Sequence, residues 1–418
     1  MLRLTTAMLA AALVVPAVAG EGADIALRHL YAGTASAGIS ELASGTDAES
    51  RFGMGLLQFV QGIERFGQGL YRHGFTVPES AWWPLRNPLL VPVPTNPTPE
   101  PLDYEKLRGI LDDLSSDLDE AQKTLIEAGV AGDYVIPVDV MKVRVDIDGD
   151  GRSGEGENVG VMLGMALGIT RIPGAAASSD PDAEPSLVIG LDRADAIWLA
   201  GYSNVIALEA DFLLAHDFHT LLDTALPHFF PKAGLEMSGH IEPLRPRGQY
   251  DYISPDDMLM IVDMVAAFHA MNWQVVDRDR LKNVYTRLKS ITSLSRQNWQ
   301  AILSETDNNQ ELLPNPHQRS VLGGRGITDA QIKAWLATLD TVDKVFDGKL
   351  LIPHWRFARG LDLRSYFETA GHTDPVLMFT GQDALPYLRD GPIASDASFR
   401  ELWTAFGQQW LGYAFWFN

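Results

Sequence analysis

Apolar residues recur every three or four positions along most of the chain, the spacing that places side chains on one face of an α-helix. This pattern predicts helices at residues 46–73, 103–128, 159–169, 192–225, 255–272, 278–304, 328–347 and 395–415. The stretch 192–225 is apolar on most of its circumference, so we expect it at the centre of the fold. Residues 134–145 alternate apolar and charged side chains and predict a short strand. The predicted fold class is mainly α, a multi-helix orthogonal or bundle-like globular body.

Three features predict how the chain is divided. Residues 1–19 combine a positive start, a short apolar run and small residues before Ala19, which is typical of a secretory signal peptide cleaved after Ala19. Residues 20–83 then form an N-terminal helical segment, and the prolines of 84–101 predict an extended connector. The main helical domain covers 102–418. The expected location is therefore periplasmic or secreted.

Composition narrows the range of partners. The chain has 418 residues, of which 46% are hydrophobic, so it can bury a large core. It contains no cysteine, which excludes disulfides and a thiol nucleophile. The formal net charge of -21 argues against nucleic acid and anionic membranes as partners, although solubility alone explains such a charge. We expect no membrane insertion, because no segment after the signal peptide has eighteen uncharged apolar residues in a row.

The clearest candidate binding site lies in residues 146–157, directly after the predicted strand. Aspartates occupy positions one, three and five of these twelve residues, glycine occupies position six and glutamate position twelve. This spacing resembles the calcium-binding loop of the EF-hand family, over these twelve residues only. The resemblance implies a Ca²⁺ site whose carboxylate ligands are Asp146, Asp148, Asp150 and Glu157, with the backbone carbonyl of Arg152 and a water at Gly154.

Two departures from the family pattern change the expected role of the ion. Ser153 stands at position eight, where an apolar residue usually pairs two such loops, and a strand replaces the helix expected upstream. The chain contains no second loop of this kind. A single unpaired loop favours a structural ion over a cooperative sensor.

The same loop admits two other interpretations. Gly149, Gly151 and Gly154 satisfy the G-x-G-x-x-G spacing of dinucleotide-binding loops, but the surrounding carboxylates would repel a pyrophosphate. The loop could also be a solvated acidic turn that holds no ion. The completeness of the ligand spacing favours calcium over both.

A second candidate metal site lies on the predicted helix 192–225. Glu209, His216, His219 and Asp223 fall within an arc of about 80° on an ideal helix. Two imidazoles three residues apart with flanking carboxylates could hold a transition metal, and the chain would then be an exported metal-dependent hydrolase. A buried acid and exposed histidines near the helix end explain the same residues without a metal. We favour that explanation, because no other helix supplies a partner motif.

A third possibility is a carbohydrate- or peptide-binding module. Trp82, Trp83 and Trp355 fall in extended segments and could form an aromatic platform. Whether the chain is an enzyme stays uncertain, and the absence of H-E-x-x-H, G-x-S-x-G and Walker motifs favours a non-enzyme. The sequence therefore predicts an exported calcium-binding helical protein with a structural ion and a binding or scaffold role, and it does not identify a protein or glycan partner.

Overall fold

The structure is a computed structural model, and it describes residues 20–77, 92–154, 156–162, 185–237, 255–308, 310–322 and 326–417. The helices are α1 (Glu21–Ala32), α2 (Ala35–Leu42), α3 (Ala48–Arg72), α4 (Tyr104–Gly129), α5 (Arg193–Leu214), α6 (His219–Thr224), α7 (Pro255–His269), α8 (Arg278–Ser304), α9 (Asp329–Phe346), α10 (Leu363–Thr369), α11 (Pro375–Thr380), α12 (Arg400–Phe406) and α13 (Trp410–Phe417). Antiparallel strand pairs join β1 (Ile136–Asp139) to β2 (Val188–Leu191), β3 (Trp273–Gln274) to β5 (His372–Thr373), and β4 (Gly360–Leu361) to β6 (Leu388–Arg389). The fold is mainly α, as the apolar spacing predicts.

The centre of the fold is a row of helices in which α3 packs on α4, α4 on α5, and α5 on α8. Ala196, Ala200 and Ala207 of α5 are fully buried, and their small side chains let the neighbouring helices approach closely. By length and composition α5 could cross a membrane, but more than half of its apolar window is buried inside the protein. The core helix of a globular protein also meets this criterion of length and composition. The prediction of a central helix in this region is confirmed.

The helix predicted from residue 46 begins two residues later, at Ala48. Its N-cap is Asp47, whose side chain accepts a hydrogen bond from the backbone N–H of Ser50 at 2.9 Å. Glu49, which would close a capping box with Thr46, instead accepts hydrogen bonds from the backbone N–H groups of Gly20 and Ala23, at 2.9 and 3.3 Å. Glu49 therefore ties α3 to the start of α1.

Several glycines of α3 mark close contacts with other elements. A Cβ atom on Gly55 would lie 2.9 Å from the side chain of Leu125 in α4, and one on Gly67 would lie 2.7 Å from Ile147 Cδ1. These contacts leave no room for a side chain, so close packing offsets the low helix propensity of glycine.

The strand predicted at 134–145 is shorter than expected. Only Ile136–Asp139 pairs with β2, and Val140–Lys142 forms a turn of 3₁₀-helix. The Asp139 side chain explains the change, since it accepts hydrogen bonds from the backbone N–H groups of Met141 and Leu187 at 3.2 and 3.0 Å and so turns the chain away from the ladder. Pairing resumes only at an isolated bridge between Arg144 and Asn158.

The helix predicted at 192–225 is also interrupted, which was not expected. It ends at Leu214, and the chain resumes helical structure only at His219. Between them, His216 forms an isolated bridge to Val275, and the backbone N–H of Asp217 donates to the carbonyl of Gln274 at 2.8 Å. Tertiary pairing with the β3 segment therefore replaces the helical hydrogen bonds in this stretch.

The remaining predicted helices and the connector agree with the structure to different degrees. Helices 278–304 and 328–347 correspond to α8 and α9, and α9 begins at a capping box formed by Thr328 and Gln331. The predicted helix 395–415 is divided into α12 and α13 around Gly407, which has a φ of 56°. In the connector, 92–101 contains neither helix nor strand, and Val93 packs against buried apolar clusters. Residues 1–19, the rest of the connector and 163–169 lie outside the described residues.

Candidate metal centre

The acidic loop 146–157 is closed at its base by short hydrogen bonds. The backbone N–H of Val145 donates to the carbonyl of Glu157 at 3.0 Å, and the Ser153 hydroxyl donates to the carbonyl of Val145 at 2.9 Å. Gly149 and Gly151 have φ values of 72° and 81°, a region that favours glycine. The glycines therefore allow the loop to curl back on itself, so that its acidic side chains converge.

Three carboxylates of the loop meet at one point. Asp146, Asp148 and Glu157 each place an oxygen within 4.8 Å of the other two, an arrangement that could hold a metal ion. Asp150 lies outside this group of three, and its Oδ1 atom accepts a hydrogen bond from the backbone N–H of Arg152 at 2.7 Å. The structure thus brings together three of the four acidic residues predicted as ligands.

The Asp146 carboxylate has one oxygen without a partner. Its Oδ2 atom accepts a hydrogen bond from the backbone N–H of Gly151 at 3.0 Å, whereas Oδ1 is buried and has no hydrogen-bond partner among the described residues. Burial of an unpaired carboxylate oxygen is costly. A cation bound between the three carboxylates would remove that cost.

Glu157 is the most buried of the three, with 4% of its surface exposed. Its Oε1 atom accepts hydrogen bonds from the backbone N–H groups of Ile147 and Asp148 at 2.7 and 3.0 Å, and its Oε2 atom accepts one from Gly154 at 2.6 Å. The side chain of Glu157, at position twelve, therefore holds both the beginning of the loop, at residues 147 and 148, and its later part, at Gly154.

Helix α3 supports the loop from behind. Glu64 Oε2 accepts a hydrogen bond from the backbone N–H of Asp146 at 2.9 Å, and Gln68 Nε2 donates to the carbonyl of the same residue at 2.6 Å. Burial raises the pKa of Glu64, and the charges of Asp146 and Glu157 act in the same direction. Sequence reasoning missed both α3 residues. Their four-residue spacing places them on one helix face, but nothing in the sequence connects that face to the loop.

Comparisons of the chain with protein-family models, with curated proteins and with solved structures give no match. The chemistry of the loop is therefore inferred from its own residues. Burial raises the pKa of Asp148, and the nearby charges of Glu157, Asp150 and Asp146 raise it further. Crowded negative charge of this kind disfavours the ionised form unless a cation is added.

A second acidic group, which sequence reasoning did not identify, consists of Asp192, Glu305 and Glu311. Their carboxylate oxygens also lie within 4.8 Å of one another, and Asp192 is the N-cap of α5. Burial raises the pKa of Glu305 to about 8, with the charge of Asp192 acting in the same direction. Burial likewise raises the pKa of Asp195, which forms a capping box with Asp192. The only sequence signal was the Asp192 cap, because the other two acids follow more than 100 residues later.

The four residues of the second predicted metal site do not share one helix. Glu209 belongs to α5, His216 lies in the break, and His219 and Asp223 belong to α6. His216 is fully buried, and its ring nitrogens contact the carbonyl of Phe212 at 2.6 Å and the hydroxyl of Thr373 at 2.7 Å. Burial lowers the pKa of His216, which favours the neutral ring. Both ring nitrogens thus form hydrogen bonds that hold the segment between α5 and α6 against β5.

Of the tryptophans predicted to form an aromatic platform, Trp82 and Trp83 lie outside the described residues. Trp355 is 64% exposed, and its indole N–H donates to the carbonyl of Phe379 at 2.8 Å. The guanidinium of Arg356 lies 4.7 Å from the centre of its ring. The exposed ring is therefore held in place by its neighbours.

Proposed function

We propose that residues 146–157 bind one Ca²⁺ as a structural ion in an exported helical protein with a binding or scaffold role. The observation that carries the proposal is the buried, unpartnered Oδ1 atom of Asp146 within a group of three converging carboxylates. Hard cations such as Ca²⁺ are bound by oxygen ligands of this type.

The expected ligands are Asp146, Asp148 and Glu157, joined by Asp150 and the carbonyl of Arg152. Each carboxylate oxygen has two lone pairs, so Glu157 can bind an ion and still accept the backbone hydrogen bonds it has. Asp150 would have to exchange its hydrogen bond from the backbone N–H of Arg152 for the ion. The convergence of Asp146, Asp148 and Glu157 supports the proposed site, which Asp150 would complete by rearrangement.

The role of the ion follows from what the loop connects. Asp146 is hydrogen-bonded to α3 through Glu64 and Gln68, while the base of the loop continues into the bridge between Arg144 and Asn158. An ion at this point joins the N-terminal helices to the segment between α4 and α5. At ten times its dissociation constant it would stabilise the folded chain by about 1.4 kcal/mol.

Export is part of the same proposal. The signal-like residues 1–19 support it, and millimolar calcium outside the cell suits a single loop of modest affinity. A net charge of -21 is compatible with a cationic ligand in that environment.

Calorimetry on the chain from residue 20 tests the proposal, with titrations of Ca²⁺ and Mg²⁺ into protein treated with EDTA. We expect one Ca²⁺ per chain and a higher melting temperature in calcium than in EDTA. Asp148→Asn should weaken binding strongly without unfolding the chain, since its side chain is partly exposed. Asp279→Asn is the matched control, because that side chain is 96% exposed and lies on α8. Absence of calcium uptake together with an unchanged melting temperature would refute the proposal.

A further inference from the structure

A pocket of about 360 Å³ lies directly beside the acidic loop. Its walls come from four segments, which are the 3₁₀ turn and Arg144 before the loop, the loop itself, residues 158–161 after it, and the chain before β2. The residues that form these walls include Met141, Arg144, Ser153, Asn158, Val161 and Pro185. The volume is at the small end of the range for ligand pockets, which suits a molecule with few heavy atoms.

Among the described residues that line this pocket, Arg144 is the charged one. It is half-buried, and its backbone is fixed by the bridge to Asn158 and by a hydrogen bond from its N–H to the carbonyl of Leu30 at 2.9 Å. Within the described ranges, its guanidinium has no hydrogen bond and no carboxylate within ion-pair distance. By contrast, Arg287 contacts both Asp119 and Asp211. Several exposed arginines, such as Arg359, also lack an ion pair among the described residues, but Arg144 is half-buried and lines a pocket.

The other polar groups of the pocket are already engaged. The Asn158 side chain donates to the carbonyl of Met141 and accepts from the backbone N–H of Val161 at 3.0 Å. The Ser153 hydroxyl donates back into the base of the loop. Arg144 is therefore the donor left to recognise a ligand, and its planar guanidinium matches a carboxylate in a bidentate manner.

We propose that this pocket binds a small organic monocarboxylate. The carboxylate would lie on Arg144, and a short hydrocarbon portion would contact the apolar side chains of Met141, Val161 and Pro185. The mixture of one cation with apolar walls favours such a molecule over an inorganic anion, which has no apolar part to bury.

The pocket shares a wall with the proposed calcium loop, so the two sites are coupled. Gly154 belongs to that wall, and its backbone N–H donates to Glu157 Oε2 at 2.6 Å. An ion held by Glu157 would fix this wall and add positive charge near the anion. The calcium dependence of carboxylate binding rests on the proposed function. Carboxylate binding to the pocket itself does not. Linkage requires that the carboxylate raise calcium affinity by the same factor.

The experiment titrates the chain from residue 20 with acetate, butyrate and benzoate, and with sulfate and phosphate as inorganic anions. Each titration is followed by calorimetry, once in EDTA and once in saturating CaCl₂. Arg144→Gln should weaken carboxylate binding by roughly 10- to 100-fold, the loss expected for a hydrogen bond to a charged group. Arg144→Lys should retain part of the carboxylate affinity. Arg359→Gln makes the same charge change at an exposed site on another part of the chain and should leave the carboxylate affinity unchanged.

Butyrate or benzoate binding that depends on Arg144 and tightens in calcium supports the inference. Equal affinity in Arg144→Gln, or no binding of any monocarboxylate in either buffer, overturns it. Equal affinity in calcium and EDTA overturns the coupling. If carboxylates bind in EDTA but Ca²⁺ gives no heat, the proposed calcium function fails while the pocket stands. A melting curve of Arg144→Gln that matches the parent chain shows that lost binding is not lost folding.

Discussion

The carboxylate of Asp211 is the centre of a buried polar network that joins three helices. Its side chain is 2% exposed, and Oδ1 accepts hydrogen bonds from Ser115 Oγ at 2.9 Å and Arg280 Nη1 at 3.1 Å. Its Oδ2 atom accepts hydrogen bonds from Asn283 Nδ2 at 2.9 Å and Arg287 Nε at 2.7 Å. All four donors come from α4 and α8, both of which pack on α5.

Asp211→Ala should therefore destabilise the fold strongly. Removal of one partner from a buried ion pair costs about 3–5 kcal/mol, because the remaining charge is left uncompensated. Arg287 keeps two hydrogen bonds to Asp119, at 2.6 and 2.9 Å, so we expect the lower end of this range, about 3 kcal/mol. Asp347→Asn is the control, since it removes a carboxylate paired with the exposed amines of Lys289 and Lys349 and should cost about 1 kcal/mol or less.

Urea unfolding, followed by tryptophan fluorescence and by far-UV circular dichroism, measures both changes in one assay. The two probes should give the same transition if unfolding is cooperative. If Asp211→Ala and Asp347→Asn shift the free energy of unfolding by the same small amount, the network does not stabilise the core as argued.

Two further predictions concern other parts of the fold. The pKa of Glu305 is raised above its unfolded value, so its contribution to stability is present below about pH 4.5 and is lost as the pH rises towards 8. In EDTA, the urea midpoint of the parent chain should fall over this range relative to Glu305→Gln, and parallel profiles would contradict the pKa shift. Gly67→Ala should destabilise by about 1–3 kcal/mol through the clash with Ile147. Gly109→Ala meets nothing within 4 Å and should stabilise α4 by about 0.5–1 kcal/mol, so a similar loss for both would refute the packing argument.

Helices whose ends carry local signals could be predicted well from the sequence. Helix α9 begins where Thr328 and Gln331 form a capping box, and α4 begins after Asp103, which caps it. The start of α3 was misplaced, because Glu49 bonds to α1 and leaves Asp47 as the cap. The break after Leu214 could not be predicted, since it depends on pairing with β3, a segment distant in sequence.

The candidate site shows the same division between local and distant information. The spacing of the loop predicts which carboxylates converge, and three of them do so. The supporting contacts from Glu64 and Gln68 span about 80 residues of sequence, so no local pattern contains them. Arg144, the proposed binding residue, was not identified from the sequence, because the absence of an acidic partner among the described residues becomes visible only when the neighbouring segments are placed.

The hydrogen bond between Gly20 and Glu49 would have a consequence for maturation under the proposed export of the chain. Cleavage after Ala19, as proposed, would convert the Gly20 backbone amide into an α-ammonium group, 2.9 Å from Glu49 Oε1 in the present structure. The contact with the Glu49 carboxylate is already charge-assisted, and the new ammonium group would add the attraction between two opposite charges. This attraction would also offset the unfavourable effect of a positive charge at the start of α1. Removal of the leader would thus strengthen the attachment of α1 to α3, and the processed chain would be more stable than its precursor.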